Sequence, residues 1–191
     1  MAKMKFGIAS RPRHGCKYNG DTVLIKEFDS KVLISMIDGL GHGEFAAVAS
    51  SRCKKCIEEH YESGFSEIFR NCDLELRKTN GVVMGMMFID FEQSSITYAG
   101  VGNISARLLG TKPVHFISRD GIVGYRLPKI REYKHPYING DTILLYSDGI
   151  SSRVVKYSAS MILKQDVQAT ADEILKLYGK DEDDATVIVA R

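Results

Sequence analysis

Lys31-Val32-Leu33-Ile34-Ser35-Met36-Ile37-Asp38-Gly39-Leu40-Gly41-His42-Gly43 runs from a strand through a glycine-rich turn to the start of a helix. The apolar run from Val32 to Ile37 is too short for a typical helix and predicts a strand buried on both faces. Asp38 and Gly39 end it, and the glycines let the backbone turn and approach a ligand closely. Beyond Gly43 the apolar spacing becomes helical, through Phe45, Val48, Ala49, Cys53, Cys56 and Ile57 to about His60. Upstream, Thr22 to Phe28 reads as the hairpin partner, joined by an Asp29-Ser30 turn.

The same reading extends outward. A second helix is predicted from Phe65 to Lys78, set off by Ser63-Gly64. Strands are predicted at Gly81 to Phe91, Ser95 to Ala99, Ser105 to Leu109, Val114 to Ile117 and Asp141 to Ser147. Helical patterns return at Ser158–Leu163 and Val167–Tyr178, with Gly179 placed as a helix-ending glycine. Ala185 to Ala190 is the last strand. Hairpin-like connections outnumber regular βα alternation, which predicts an α+β fold on antiparallel sheets. The 191 residues suit one domain spanning 1–191.

Composition excludes several classes. Hydrophobic residues make up 44% and charged residues 26%, a globular rather than disordered balance. A formal net charge of +2, with no basic block, argues against a nucleic-acid partner. No apolar stretch approaches the length of a membrane span, and the first residues lack the apolar run of a signal peptide. A cytoplasmic location without membrane association is expected. The four cysteines are too sparse for a secreted disulfide scaffold. Cys53-Lys54-Lys55-Cys56 has the spacing of half a zinc site but no second half, so buried helical thiols are expected. Met84, Met86 and Met87 read as core filling, and His14, His60, His115 and His135 as surface or packing residues.

Acidic residues recur at the ends of apolar strands: Asp21 after Gly20, Asp38 before Gly39, Asp148 in Ser147-Asp148-Gly149, and Asp183-Asp184 before Ala185-Thr186. Any one Asp-Gly pair is ordinarily only a turn. Several carboxylates brought together would repel and raise each other's pKa unless cations sat among them. Mg²⁺ and Mn²⁺ favour oxygen ligands, and the Gly39 carbonyl beside Asp38 offers one more.

Gly20-Asp21, Asp38-Gly39-Leu40-Gly41-His42-Gly43, Gly102-Asn103, Ser147-Asp148-Gly149 and Asp183-Asp184-Ala185-Thr186 together resemble the metal-dependent, protein phosphatase 2C-like family, in its bacterial sporulation-type branch. That resemblance implies a four-layer αββα sandwich of two antiparallel sheets flanked by helix pairs. It implies a serine/threonine phosphoprotein phosphatase using two divalent cations, Mn²⁺ or Mg²⁺. Asp38 would bridge the ions, with the Gly39 carbonyl, Asp148, Asp183 and Asp21 as further ligands; the family's spacing to Thr186 selects Asp183 over Asp184. Asn103 would support the site without touching metal. Among Arg11, Arg13 and Lys17, Arg13 is the candidate to grip phosphate, for which Arg is suited. Expected partners are phosphorylated stressosome scaffold or antagonist proteins, met by a monomer. The short connections Gly110–Pro113 and Tyr125–Arg131 leave little material for a recognition flap, so docking should be weak and transient.

Two departures stand out. Eukaryotic members place a histidine after the Asp-Gly pair, where this chain has Leu40, and His42 lies two residues later. The family's Gly-Ala-Thr-like element is replaced by Asn80-Gly81-Val82-Val83. They keep an alternative open: a catalytically weak phosphatase-like module that binds the same partners. A hydrolase of small phosphoesters would need the same metals but a closed pocket.

Overall fold

A computed structural model describes residues 4–156 and 166–191. Among these residues, ten strands form two five-stranded sheets. The first contains β2 (Asp21–Phe28), β3 (Lys31–Gly39), β4 (Val82–Asp90), β5 (Ser95–Val101) and β8 (Tyr133–Pro136), in that order. The second runs β1 (Phe6–Arg11), β10 (Ala185–Ala190), β9 (Thr142–Tyr146), β6 (Ser105–Leu109) and β7 (Val114–Phe116). Every neighbouring pair is antiparallel.

Alternation along the strands builds the layers, because successive side chains leave a strand on opposite faces. On β3, Val32, Ile34 and Met36 enter the core between the sheets, while Leu33 and Ile37 face the helices. On β10, Ile188 and Ala190 enter the same central core, while Val187 and Val189 face away from it. Helices α1 (Glu44–His60) and α2 (Phe65–Leu76) cover the outer face of the first sheet. Helix α3 (Val167–Tyr178) covers the second sheet, capped by Asp166 accepting from the backbone N–H groups of Gln168 and Ala169. The arrangement is an α+β sandwich with two antiparallel sheets at its centre.

The differences from the sequence reading lie at edges and ends. Helix α2 stops at Leu76 instead of Lys78, where the Thr79 hydroxyl donates to the Leu76 carbonyl and closes the last turn. The helical pattern at Ser158–Leu163, which would complete the second helix pair, lies outside the described residues. Strands β1 and β8 are edge strands with no strong signature of their own. β8 has four residues, half of them exposed, and ends on Pro136, as an edge position allows. Cys53, Cys56 and Cys72 are buried where α1 meets α2, with the Cys53 Sγ 3.4 Å from the Met84 Sδ.

Candidate metal centre

The β2–β3 hairpin brings Asp21 and Asp38 directly opposite each other at its open end. Like charges in that relation are unfavourable. Asp148 follows the end of β9, and Asp183 precedes the start of β10, its antiparallel neighbour. The two sheets are joined at this corner. The Ser147 hydroxyl donates to Asp21 Oδ2 at 2.7 Å and accepts from the Thr186 backbone N–H at 3.1 Å. The result is a cleft of about 220 Å³ lined by Asp38, Gly39, Leu40, Gly41, Val83, Asn103, Asp148 and Asp183. Asp21 is buried at its side, paired across the hairpin with Asp38.

The electrostatics of this corner are unfavourable for carboxylates alone. Burial, reinforced by Asp21, Asp148, Asp183 and Asp184, pushes the Asp38 carboxyl up to about 8. Burial raises Asp21 to about 6, against hydrogen bonds from Ser147 and Thr186 that favour its charged form. Asp183 is also raised, by burial first and then by Asp148. Asp21 Oδ1 is buried with no hydrogen-bond partner. Buried polar atoms are normally satisfied, and this one belongs to a carboxylate among carboxylates. A hard divalent cation would satisfy that atom and remove the repulsion. Among the described residues no three His, Cys, Asp or Glu side chains close into a ready-made cage. Such a site would therefore draw on backbone carbonyl and water ligands, as Mg²⁺ sites commonly do.

Asp183 and its neighbour Asp184 have separate tasks. Asp184 is buried, and its two oxygens accept backbone N–H bonds from Arg13 at 2.8 Å and Gly20 at 2.9 Å. It ties the loop before β2 to the start of β10. Asp183 is left to line the cleft. Asn103 donates to Asp148 Oδ2 at 2.7 Å and so orients that carboxylate. Lys180 contacts the same corner: its Nζ donates to the Asp148 carbonyl at 2.6 Å, and its charge offsets a small part of the rise at Asp183. Two glycines are required by close approach. A Cβ on Gly39 would overlap the Ala46 carbonyl, and one on Gly149 would overlap the Asp184 carbonyl. The orienting roles of Asp184 and Lys180 had no sequence signature, since each depends on a contact more than thirty residues away along the chain.

Arg13 has its backbone fixed by Asp184, whereas the Arg11 guanidinium is committed to Asp181 at 3.0 Å and Lys17 lies over the Tyr18 ring. Leu40 lines the cleft at the position where eukaryotic members carry a histidine, and His42 is exposed. The replaced element has a structural task of its own. The Asn80 side-chain amide donates to the Leu40 carbonyl at 3.3 Å, and the Leu40 N–H donates to the Gly81 carbonyl at 3.0 Å. These bonds hold the Leu40 turn at the cleft wall. His60 Nδ1 lies 2.8 Å from the Cys56 carbonyl and His135 Nδ1 the same distance from the Pro136 carbonyl, both away from the acidic corner.

Residues 29–191 match the model of the stage II sporulation protein E (SpoIIE) family. The chain belongs to that family. It is 25% identical to the phosphoserine phosphatase RsbX of Bacillus subtilis (strain 168) over 182 residues, covering 94% of this chain and 90% of the relative. A chain solved in work on the bacterial stressosome, as a modular system adapted to control secondary messenger signalling, is 32% identical, with a TM-score of 0.95 and full coverage of both chains. The crystal structure of RsbX in complex with magnesium superposes with a TM-score of 0.87 at 22% identity, covering 98% of this chain and 94% of that one. The protein is a protein phosphatase, the class that the family resemblance implies, and it shares the fold of the protein phosphatase 2C domain of SpoIIE from Bacillus subtilis. Among the described residues no helix is long and apolar enough to cross a membrane.

Proposed function

We propose that this protein removes phosphate from serine and threonine side chains of bacterial stressosome or partner-switching proteins, and that it does so with two bound divalent cations, Mn²⁺ or Mg²⁺. The observation that carries the reading is the open acidic cleft in which burial and neighbouring carboxylates hold Asp38 far above its ordinary range. Asp38, the Gly39 carbonyl, Asp148, Asp183 and Asp21 would hold the ions. The cations would supply charge neutralisation and an activated water for attack on phosphorus.

The protein's own groups prepare the rest. Asn103 and Lys180 fix Asp148 from its side chain and its carbonyl. Asp184 anchors the Arg13 backbone, and the Arg13 guanidinium would donate to phosphate oxygens. The RsbX relative, a phosphoserine phosphatase, and the solved chain from the stressosome study support the substrate class. The magnesium complex of RsbX supports the metal. We read the protein as a single domain acting as a monomer in the cytoplasm.

The test incubates the protein and an Asp38→Asn variant with Mn²⁺, an aryl phosphate and phosphorylated stressosome scaffold and antagonist proteins. Chelator-sensitive loss of protein phosphate, absent in the variant, is expected. Turnover of neither substrate would leave only the binding-module reading. Turnover of the aryl ester alone would make the protein a small-ester hydrolase.

A further inference from the structure

Nine large hydrophobic side chains are exposed among the described residues, and the two most exposed are Tyr125 at 84% and Phe45 at 78%. Both lie at the acidic end of the sandwich. Phe45 is in the first turn of α1, four residues beyond Gly41, which lines the cleft. Four residues of chain span at most about 14 Å. Tyr125 follows Val123, which bridges to Val82, the neighbour of the cleft residue Val83. That path places Tyr125 within about 16 Å of the cleft wall. The two aromatics sit on separate elements, α1 and the 121–128 loop, and both elements are tied to the cleft. Gly39 lies against Ala46, and the Leu40 turn bonds to Gly81, beside the Val82–Val123 bridge.

We propose that Phe45 and Tyr125 are the apolar contact points on which a folded phosphoprotein substrate docks while its phosphorylated serine or threonine enters the cleft. The proposal rests on the phosphatase reading above and adds how a macromolecular substrate is selected. A standard protein–protein footprint of about 800 Å² per partner is a disc of about 16 Å radius. Both residues therefore lie within reach of a folded substrate centred on the cleft. Aromatic side chains that a monomer leaves this exposed are the type that anchors interfaces. Val48 continues the Phe45 face one turn along α1, and exposed Arg52 follows one turn later. Exposed Arg126 adjoins Tyr125. The fitting partner thus carries apolar residues beside its phosphorylated residue and acidic groups farther out, opposite these two arginines. A small phosphoester would fill the cleft and touch neither aromatic.

The test compares the wild type with Phe45→Ser, Tyr125→Ser and the double variant in Mn²⁺. Each is assayed on p-nitrophenyl phosphate and on a phosphorylated stressosome scaffold or antagonist protein. The double variant should lose at least tenfold in kcat/KM on the phosphoprotein, mainly through KM. Its kcat/KM on p-nitrophenyl phosphate should stay within twofold of wild type, and its melting temperature should be unchanged. Equal losses on both substrates, or an undiminished rate on the phosphoprotein, would overturn the docking role. A wild type that hydrolyses only the aryl ester would overturn it as well. Turnover of neither substrate by the wild type is a different failure, that of the phosphatase reading itself.

Discussion

The centre of the sandwich and its acidic corner are built on the same strands and follow opposite rules. Along β3, Ile34 and Met36 are fully buried among apolar neighbours from both sheets, and burial there is favourable for every side chain. Two residues past Met36, Asp38 is largely buried too, but burial raises its pKa and its neighbours add charge of the same sign. The centre is arranged for the folded chain alone. On the function proposed above, the corner is arranged for the folded chain plus cations, and its electrostatic cost is of the kind that functional sites carry.

Substitutions should separate the two regions most sharply. Ile34→Ala should destabilise the protein by about 2–5 kcal/mol in denaturant melts, since it leaves a cavity in a closed core. Asp38→Asn should instead raise the melting temperature of the chelated protein at pH 8, because it removes a buried charge from a repelling group. About 1 kcal/mol corresponds to about 2–4 °C for a chain of this size. A lower melting temperature for the chelated Asn variant would mean that Asp38 contributes to the fold as the core residues do.

The pH dependence sharpens the same contrast. The folded-state values of Asp21, about 6, and Asp38, about 8, lie above the ordinary 3.8. The folded state therefore binds more protons than the unfolded state across this interval. The stability these groups contribute is complete below about pH 4 and is lost as pH rises through 6 and then 8. Chelated protein should melt at falling temperature from pH 5 to pH 9, and millimolar Mn²⁺ should raise the melting temperature most at the alkaline end. A flat chelated profile that Mn²⁺ leaves unmoved would remove the link between this corner and cations.

A smaller effect should follow from the residues that orient the ligands. Asn103→Ala removes the donor to Asp148 Oδ2. Partners of metal ligands are typically worth about 10–100-fold in metal affinity or activity. Mn²⁺ titration of the variant should show a weakening in that range with little change in the chelated melting temperature. An unchanged Mn²⁺ affinity would make the Asn103 bond a purely structural one.

Much of this architecture was legible in the sequence because it depends on local chemistry. Apolar runs of strand length, the change from period two to helical spacing after Gly43, and turn residues at Asp29-Ser30 all act within a few residues. The acidic motifs were legible for the same reason, since each pairs a strand end with a turn. Edge strands β2 and β7 carry signatures of their own and were legible, whereas β1 and β8 were not, because their conformation rests on their neighbour more than on their own side chains.

By itself, then, the sequence determined the α+β class, the buried central strands and the set of carboxylates able to meet. Tertiary structure alone decided which atoms of that set are spent on the fold and which are left for chemistry. Asp183 and Asp184 are adjacent and chemically identical, yet Asp184 holds two backbone N–H groups more than 160 residues away, while Asp183 lines the cleft. The family's spacing to Thr186 singles out Asp183, but it does not show what Asp184 does, because the partners that occupy Asp184 arrive only when β10 closes against the loop before β2.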